Sequence, residues 1–443
     1  MVFQALFIIL KIKVMHAIIE TKHQLDQLNC CTTDNCFIQL IPSSDNYHPK
    51  LNNVSCIYYR CKNSKGHILP INHTETFNLQ WDDVLEFLKR HKIIHVIDKK
   101  FHLYFLPPSL PITDIQFKIL NKENKIIKTD EYDTPLHTNF YREHYFRNNL
   151  NDIIPIVKHF EKWESIYDKV EPFLDGKIND WFDNEYVNVF KQIEYQGIKV
   201  FPSKFSYFFE PTFEDYSIYK DKVHTLYNLY NTTTRPTNAF NNINFAALPK
   251  ENGARKALIP QNDYFIEYDF TAYHPSIISN FFNYQLTSTP YLHLGEILNV
   301  SEKEAKEITF QNIYGGVRKE FRDKPFFKQV YEKTYDFWTE FGKNGLITLP
   351  NGRIILNNGE FTPSKLFNYY IQALETISNV EILQKVFKYL ENKQSTVVLY
   401  VYDSILLDFN KEDGISLVND VKNILESTGY FVKMKKEINY DFK

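Results

Sequence analysis

The sequence is poor in cysteine and glycine, and it carries no excess of positive charge. Its 443 residues include 5 cysteines and 13 glycines, and the formal net charge is −3. A protein that binds nucleic acid over its whole surface is usually basic, so any nucleic-acid site on this chain must be local. The 30 Tyr and 37 Phe accompany many Asn, Ile and Lys residues, as in an AT-rich genome. The aromatic content alone therefore indicates no function.

The few cysteines do not form a zinc pattern. They are Cys30, Cys31, Cys36, Cys56 and Cys61. Structural zinc sites commonly use paired C-x2-C knuckles, and none is present here. We therefore predict reduced thiols in a cytoplasmic protein, in the host cytoplasm if the chain is viral.

The sequence also lacks a long apolar run. The apolar stretch near the N-terminus has about nine residues, fewer than the roughly 20 that a membrane-spanning helix needs. It has no small-residue cleavage site of the kind that follows a signal peptide. We predict no membrane association. Met15 is an alternative start, in which case residues 1–14 are not translated.

The length suits two or three domains. Residues 36–70 are β-rich, 82–92 have helical periodicity, and 93–106 read as strands (IIHVID, FHLYFL). Residues 130–150 look like a connector, and 151 to about 193 are helical in period. We predict an N-terminal α/β module over residues 1–150 and a larger α+β module over 151–443.

Two aspartates stand at the ends of predicted strands. Asp269 follows the apolar run 264-YFIEY-268, and Asp403 lies between two β-rich runs that predict a tight hairpin. Asp269 could instead cap the following helix, and Asp403 could be an ordinary turn residue. Two-metal phosphoryl transfer uses carboxylates to hold two Mg2+ ions about 3.5–4 Å apart. The two aspartates are therefore candidate ligands for such a site.

A third element lies between the two aspartates, over residues 301–321, and it begins with a predicted helix. Lys306, Phe310 and Tyr314 recur at i, i+4 and i+8, so they share one helical face, and Gly315-Gly316 end the helix. A cation and two rings on one stripe suit a nucleotide, with the lysine at the phosphates and a ring against the base or sugar. The alternative is an amphipathic helix whose lysine extends to solvent.

In combination these motifs resemble the palm and fingers of family A DNA polymerases. The family helix reads K-x3-[FY]-x3-YG, and this chain has 306-KEITFQNIYG-315. The two metal motifs correspond to 269-DFTAYHP-275 and 401-VYDS-404. Further similar segments, in family order, are 190-FKQIEYQGIKV-200, 234-TRPTN-238, 244-NFAALP-249, 255-RKAL-258, 345-GLITLPNGR-353 and the Asn368/Gln372 pair.

The resemblance implies a fold and a set of residue roles. The fold is α+β, a right-hand palm with an antiparallel sheet and helical fingers, preceded by an α/β exonuclease-like (RNase H-like) domain. Asp269 and Asp403, with the carbonyl of Phe270, would hold two Mg2+ ions, for which Mn2+ could substitute. The implied nucleotide-binding residues are Lys303, Lys306, Phe310, Tyr314 and His274. The implied DNA-binding residues are Arg235, Asn244, Arg255, Arg353, Asn368 and Gln372.

The chain departs from the family pattern at several positions. His274 replaces a glutamate that screens the sugar 2′-hydroxyl, and Glu302 replaces a triphosphate-binding arginine, with Lys303 beside it. Tyr402 and Ser404 replace the usual neighbours of the second metal aspartate. Only 34 residues separate Val200 from Arg235, where the family has a long helical thumb. We therefore expect low processivity unless a processivity or replication partner replaces the thumb.

The N-terminal module lies where the family keeps its 3′–5′ exonuclease. Proofreading needs a D-x-E pair on the first strand, and 36-CFIQLIPSS-44 has no acidic residue, while Asp98 is a lone candidate. We predict a degenerate domain without nuclease chemistry.

Three functions are consistent with the sequence. The first is a thumb-poor template-directed DNA polymerase that uses primer–template DNA and dNTPs, of phage or mobile-element type. The second is a single-subunit RNA polymerase or primase, suggested by His274 and Ser404. The third is an inactive primer–template-binding protein, suggested by Glu302 and the missing thumb.

Overall fold

The computed structural model describes residues 17–28, 35–45, 47–129, 150–176, 178–209, 221–240 and 243–442. The alternative start, Cys30, Cys31 and all but the last residue of the predicted connector lie outside these ranges. The described chain divides into two compact units, one ending at Asp183 and the other beginning at Asn184. This division falls later than the boundary expected near residue 150.

The N-terminal unit is a mixed five-stranded sheet with helices. Its strands are β1 (Asn35–Pro42), β2 (Val54–Cys61), β3 (His67–Pro70), β4 (Ile93–Val96) and β5 (Ile112–Asp114). Its helices are α1 (Lys22–Asp26), α2 (Trp81–Leu88), α3 (Lys99–His102), α4 (Ile115–Glu123), α5 (Leu150–Ile153) and α6 (Ile156–Val170). The strand order is β3-β2-β1-β4-β5, with β1, β4 and β5 parallel and the other pairs antiparallel.

Helix α6 explains why this unit extends beyond residue 150. Trp163, Ile166, Tyr167 and Val170 recur on one face, and all four are buried in the same core cluster as residues of β1 and β2. Each such side chain contributes about 1.5–3 kcal/mol on burial. A composition change near residue 150 marks only the start of a helix whose apolar face belongs to the preceding sheet.

The predicted strand FHLYFL is wrong. Residues Lys99–His102 form α3, and turns follow it. Asp98 adopts a left-handed backbone conformation with φ of 61°, and its carboxylate accepts a hydrogen bond from the Phe101 backbone N–H at 3.1 Å. The cap starts a helix where the alternation of apolar residues had indicated a strand.

We expect the N-terminal unit to be sensitive to mild acid. His95, His102 and His159 are almost completely buried, and burial lowers their pKa values to about 3, 4 and 3. Unfolding frees each ring to bind a proton below its ordinary pKa of 6.5. Stability is therefore retained above pH 6.5 and lost below it, by roughly 4 kcal/mol per pH unit near pH 5.

Hydrogen exchange of the amides of this unit between pH 7.5 and 5 measures the effect. The His159→Gln variant should reduce the slope by about 1.4 kcal/mol per pH unit, the contribution of one proton. The exposed His23 provides the matched control, and His23→Gln should leave the slope unchanged. A slope that His159→Gln does not alter would contradict the assignment.

The C-terminal unit is larger and mostly helical around short sheets. Its strands are β6 (Ile198–Val200), β7 (Lys222–Val223), β8 (Leu226–Asn228), β9 (Thr237–Ala239), β10 (Leu258–Ile259), β11 (Tyr264–Thr271), β12 (Leu346–Thr348), β13 (Ile354–Leu356), β14 (Thr396–Val401), β15 (Ser404–Phe409) and β16 (Phe431–Glu437). Its helices are α7 (Val187–Gln196), α8 (Pro202–Phe209), α9 (Tyr273–Phe282), α10 (Pro290–Leu298), α11 (Glu302–Gly315), α12 (Pro325–Asn344), α13 (Pro363–Leu390) and α14 (Ser416–Glu426).

The central sheet of this unit is antiparallel, with the strand order β14-β15-β11-β16. The 28-residue helix α13 lies at the centre of the helical part, because α9, α11, α12 and α14 all pack against it. A helix covered from several sides needs apolar residues around most of its circumference. Within the described ranges, no helix is both long and apolar enough to cross a membrane.

Candidate active site

Asp269 lies near the end of β11, with its side chain on the exposed face of the strand. Its neighbours Tyr268 and Phe270 are buried, as the alternation of a strand requires. The capping alternative is wrong, because the N-cap residue of α9 is Ala272 and no side chain caps that helix. The carboxylate is therefore available to the space beside the sheet.

Asp403 occupies a two-residue turn that joins β14 to β15, in the hairpin that the sequence predicts. The register pairs Asp269 with Ser404, and the Phe270 backbone N–H donates a hydrogen bond to the Asp403 carbonyl at 2.9 Å. Asp269 therefore lies beside the turn that carries Asp403.

The electrostatics of the two carboxylates reflect this proximity. Partial burial raises the pKa of Asp403, and the negative charge of Asp269 raises it further. Partial burial also raises the pKa of Asp269, although Lys433 and Lys435 act in the opposite direction. Two like charges held close together are unfavourable, which is typical of sites that bind a cation or carry out chemistry.

Both carboxylates line a cleft of about 660 Å³ within the C-terminal unit. Helix α11 forms one wall, and it begins with a capping box between Ser301 and Glu304. The wall presents Lys303, Lys306, Phe310 and Tyr314 to the cleft. Phe310 is 59% exposed, and its ring centroid lies 4.4 Å from that of Tyr314. The structure thus brings the predicted lysine–aromatic stripe to the same cleft as the aspartates.

His274 lies in the cleft between α11 and α13. One side of its ring is hydrogen-bonded to the hydroxyl of Tyr314, and Nε2 lies 2.9 Å from a carboxylate oxygen of Glu375. A carboxylate can only accept, so Nε2 carries the proton. The second oxygen of Glu375 pairs with the Arg235 guanidinium at 3.0 Å.

Arg235 also contacts the hairpin that carries Asp403. Its guanidinium lies 4.0 Å from the centroid of the Tyr402 ring. Tyr402 has φ of 56°, a left-handed conformation that a tyrosine rarely adopts. Asn379 holds this residue by donating a hydrogen bond to its carbonyl at 3.2 Å. The orientation of the Asp403 side chain therefore depends on side chains from outside the hairpin.

The other predicted DNA-binding residues do not line the cleft. Arg353 is completely buried, and burial lowers its pKa to about 10. Arg255 is buried, donates a hydrogen bond to the Leu248 carbonyl at 2.9 Å and packs on Tyr440. Both guanidinium groups are thus engaged within the protein.

The three remaining residues form hydrogen bonds within the C-terminal unit. Asn244 caps the short helix Phe245–Ala247. Asn368 donates to the Tyr314 carbonyl at 3.4 Å, and Gln372 accepts from the Thr233 hydroxyl at 3.1 Å. Asn368 and Gln372 therefore connect α13 to α11 and to the segment that precedes Arg235.

Sequence reasoning missed Glu375 and Glu267. Glu375 stands in the apolar stretch 371-IQALETI-377, where a buried carboxylate requires a partner. Glu267 shares the outward face of β11 with Asp269 by alternation, and Ser404 donates a hydrogen bond to it at 3.3 Å. Partial burial and the charge of Asp269 raise the pKa of Glu267. The sequence shows the acidic residue within an apolar stretch and the spacing of Glu267 and Asp269 by two residues. Neither pattern identifies the residue that pairs with the carboxylate.

The donor set fits a magnesium site that is completed by a substrate. In the described ranges, no group of three or more His, Cys, Asp or Glu residues could hold a metal by itself. Mg2+ is usually bound by one or two carboxylates together with water and substrate phosphates. Asp269 and Asp403, whose charges repel each other, supply that number of carboxylates.

Comparison with known proteins by sequence gives no match, either to a family model or to a curated protein. Comparison with solved structures by fold does give a match. The chain is similar to the POL domain of Pol1 from M. smegmatis, a structure in complex with DNA primer–template and dNTP. The TM-score is 0.63 at 10% sequence identity, over 95% of this chain and 98% of that one. The chain therefore has the fold of a DNA polymerase POL domain along nearly its whole length.

Proposed function

We propose that this protein is a template-directed DNA polymerase that adds deoxynucleotides to a primer 3′ end by two-metal phosphoryl transfer. The observation that carries the proposal is the adjacency of Asp269 and Asp403 in a cleft whose wall presents Lys306, Phe310 and Tyr314. Carboxylates, a cation and two aromatic rings in one cleft correspond to the metal, phosphate and nucleoside parts of a dNTP–Mg2+ substrate.

The carboxylates of Asp269 and Asp403, with the carbonyl of Phe270, would hold two Mg2+ ions or Mn2+ in their place. When bound, these ions supply charge stabilisation for the attacking and leaving oxygens of the transferred phosphoryl group. Lys306 is exposed on the cleft wall and contributes a favourable charge near Asp269. It suits the triphosphate and the departing pyrophosphate, with Lys303 one turn earlier on the helix.

The nucleoside would contact Phe310 and Tyr314, because aromatic rings that line a cleft can stack on a base or a sugar. Arg235, which lines the cleft, would contact the primer–template there. Asn368 and Gln372 lie outside the cleft and would contact the DNA beyond it. For Arg353, Arg255 and Asn244, the observed intramolecular bonds support an indirect role, in which they shape the surface that meets DNA.

We infer that the N-terminal unit is an exonuclease-like domain that lacks proofreading. Its β–β–β–α–β order is compatible with an RNase H-like ancestor. The first strand, β1, contains no acidic residue. The carboxylate of Asp98 caps α3, so it is already used in a structural role.

The test is primer extension on a short primed template with Mg2+, with dNTPs and rNTPs offered separately. We expect extension with dNTPs that is lost in the Asp403→Ala variant. Asp420 is a matched control, since it accepts a hydrogen bond from Tyr389 and does not line the cleft. Asp420→Ala should remain active.

Other outcomes separate the remaining functions. Extension only with rNTPs would support an RNA polymerase or primase, as His274 and Ser404 suggest. Binding of primer–template without extension in Mg2+ or Mn2+ would mean that the fold serves only as a binding platform. Either result would refute the proposed DNA polymerase activity.

A further inference from the structure

Glu375 is a completely buried carboxylate in the middle of α13. Its side chain is 0% exposed, and two cationic or polar partners reach it from different segments. Arg235 approaches one oxygen at 3.0 Å, and His274 approaches the other at 2.9 Å. Burial alone would raise the pKa of this carboxyl group, but the hydrogen bond from His274 and the charge of Arg235 lower it. Glu375 is therefore held as an anion.

Folding stability does not explain this arrangement. Taking a charge out of water costs several kcal/mol, and apolar residues of similar volume often stabilise a core equally well or better. The neighbours Phe367, Ile371 and Ala373 in α13 are buried apolar residues of this kind. A buried ion pair at such a position can instead fix the conformation of its partners.

The partners of Glu375 lead directly into the cleft. With Nε2 donating to Glu375, the opposite ring nitrogen of His274, Nδ1, is hydrogen-bonded to the Tyr314 hydroxyl. Glu375 thereby fixes the orientation of the His274 ring. Tyr314 is in turn held by a group outside its own helix.

Tyr314 lies at the nucleoside end of the proposed substrate site. It follows Lys306 by eight residues on α11, so the two side chains are separated by ~12 Å along the helix. A phosphate group near Lys306 would leave the sugar and base near Phe310 and Tyr314. A small rotation of the Tyr314 ring therefore changes the space at the sugar and leaves the phosphate contacts intact.

We propose that Glu375 is a positioning residue that sets the selection between deoxyribose and ribose in the incoming nucleotide. It acts through His274 on Tyr314, and it need not touch the nucleotide. The inference rests on the proposed polymerase function. Its specific consequence is that the loss of the Glu375 charge loosens Tyr314 and admits ribonucleotides more readily.

The experiment measures Kd for a dNTP and for the matching rNTP on a primer–template whose primer ends in a dideoxynucleotide. This readout does not require catalysis. Glu375→Gln retains the size of the side chain and removes its charge, and Tyr314→Phe retains the ring and removes the hydroxyl. We expect each variant to reduce the rNTP-to-dNTP ratio of Kd values by about tenfold, the effect of one hydrogen bond.

The double variant, Glu375→Gln with Tyr314→Phe, tests whether Glu375 acts on sugar selection through Tyr314. If Glu375 acts through Tyr314, the double variant shows no further loss, because coupled residues are not additive. Additive effects, or a Glu375→Gln variant with unchanged selection, would overturn the proposal. Glu194 is equally buried and lies outside the cleft, so Glu194→Gln controls for the loss of any buried charge and should leave selection unchanged.

Failure of the polymerase function gives a different result from failure of this inference. A wild-type protein that binds nucleotides selectively but does not extend a primer would refute the polymerase activity, and the Kd ratios would still test Glu375. A protein that binds neither nucleotide would overturn both.

Discussion

The Asp269→Asn variant is expected to incorporate nucleotides at least a thousandfold more slowly than the wild type, with no loss of stability. A carboxylate that holds a catalytic metal supplies several kcal/mol of transition-state stabilisation, and ~4 kcal/mol corresponds to about a thousandfold. The amide has the same shape but no charge. Single-turnover extension in Mg2+ gives the rate, and thermal unfolding in EDTA gives the stability.

The thermal-unfolding measurement distinguishes a loss of catalysis from a loss of folding stability. Partial burial raises the pKa of Asp269, so the ionised carboxylate destabilises the folded chain relative to the unfolded one at neutral pH. Removing the charge should therefore leave the melting temperature equal or higher. Asp263, just before β11, accepts a hydrogen bond from the Lys411 backbone N–H at 2.9 Å. Asp263→Asn is the matched control and should remain active. A fall in activity that follows a fall in melting temperature would indicate a structural role for Asp269.

The Arg235→Met variant is expected to lose about 3–5 kcal/mol of the free energy of unfolding, because it leaves a buried charge without its main counterion. Glu375 would keep only His274 as a partner. Urea unfolding, followed by hydrogen exchange of the amides in α13, measures the change. The ion pair between Lys422 and Glu426 is partly exposed, with the nitrogen and oxygen 3.5 Å apart. Its removal by Lys422→Met should cost at most about 0.5 kcal/mol.

The pH dependence of the Arg235 variant provides a second check. In the wild type the pKa of Glu375 is below its ordinary value of 4.5. Its contribution to stability is therefore present above pH 4.5 and lost as the pH falls through the lower value. Without Arg235, burial dominates and favours the protonated form, so the cost of the substitution should be smaller in acid than at neutral pH. The double variant Arg235→Met, Glu375→Met should recover much of the loss. A cost that is equal at both pH values would rule out the buried charge as its cause.

The parts of the site that were predicted from the sequence are those fixed by short-range chemistry. The hairpin at Asp403 follows from two β-rich runs around a polar tip, and α11 follows from periodicity and a glycine end. The strand predicted for FHLYFL failed because one aspartate in a left-handed conformation starts a helix there. Period-two alternation cannot reveal such a cap.

Long-range pairing explains the other omissions. Glu375 meets Arg235 across 140 residues of sequence and His274 across 101, and nothing local to α13 identifies either partner. The burial of Arg353 and Arg255 was missed for a similar reason, because a sequence motif gives the residue types but does not show whether a side chain is exposed. The composition change at residue 150 likewise does not show which sheet α6 packs against.

The conformation of Tyr402 has a consequence for how this protein would respond to selection in the laboratory. A side chain with φ of 56° costs ~1 kcal/mol or more, while Asn and Gly accept that conformation readily. A screen for heat resistance alone should therefore enrich Asn or Gly at position 402. Such variants would no longer present the ring that lies under Arg235, so the turn beside Asp403 would be freer to move. Directed evolution of this chain thus needs activity and stability scored in the same round.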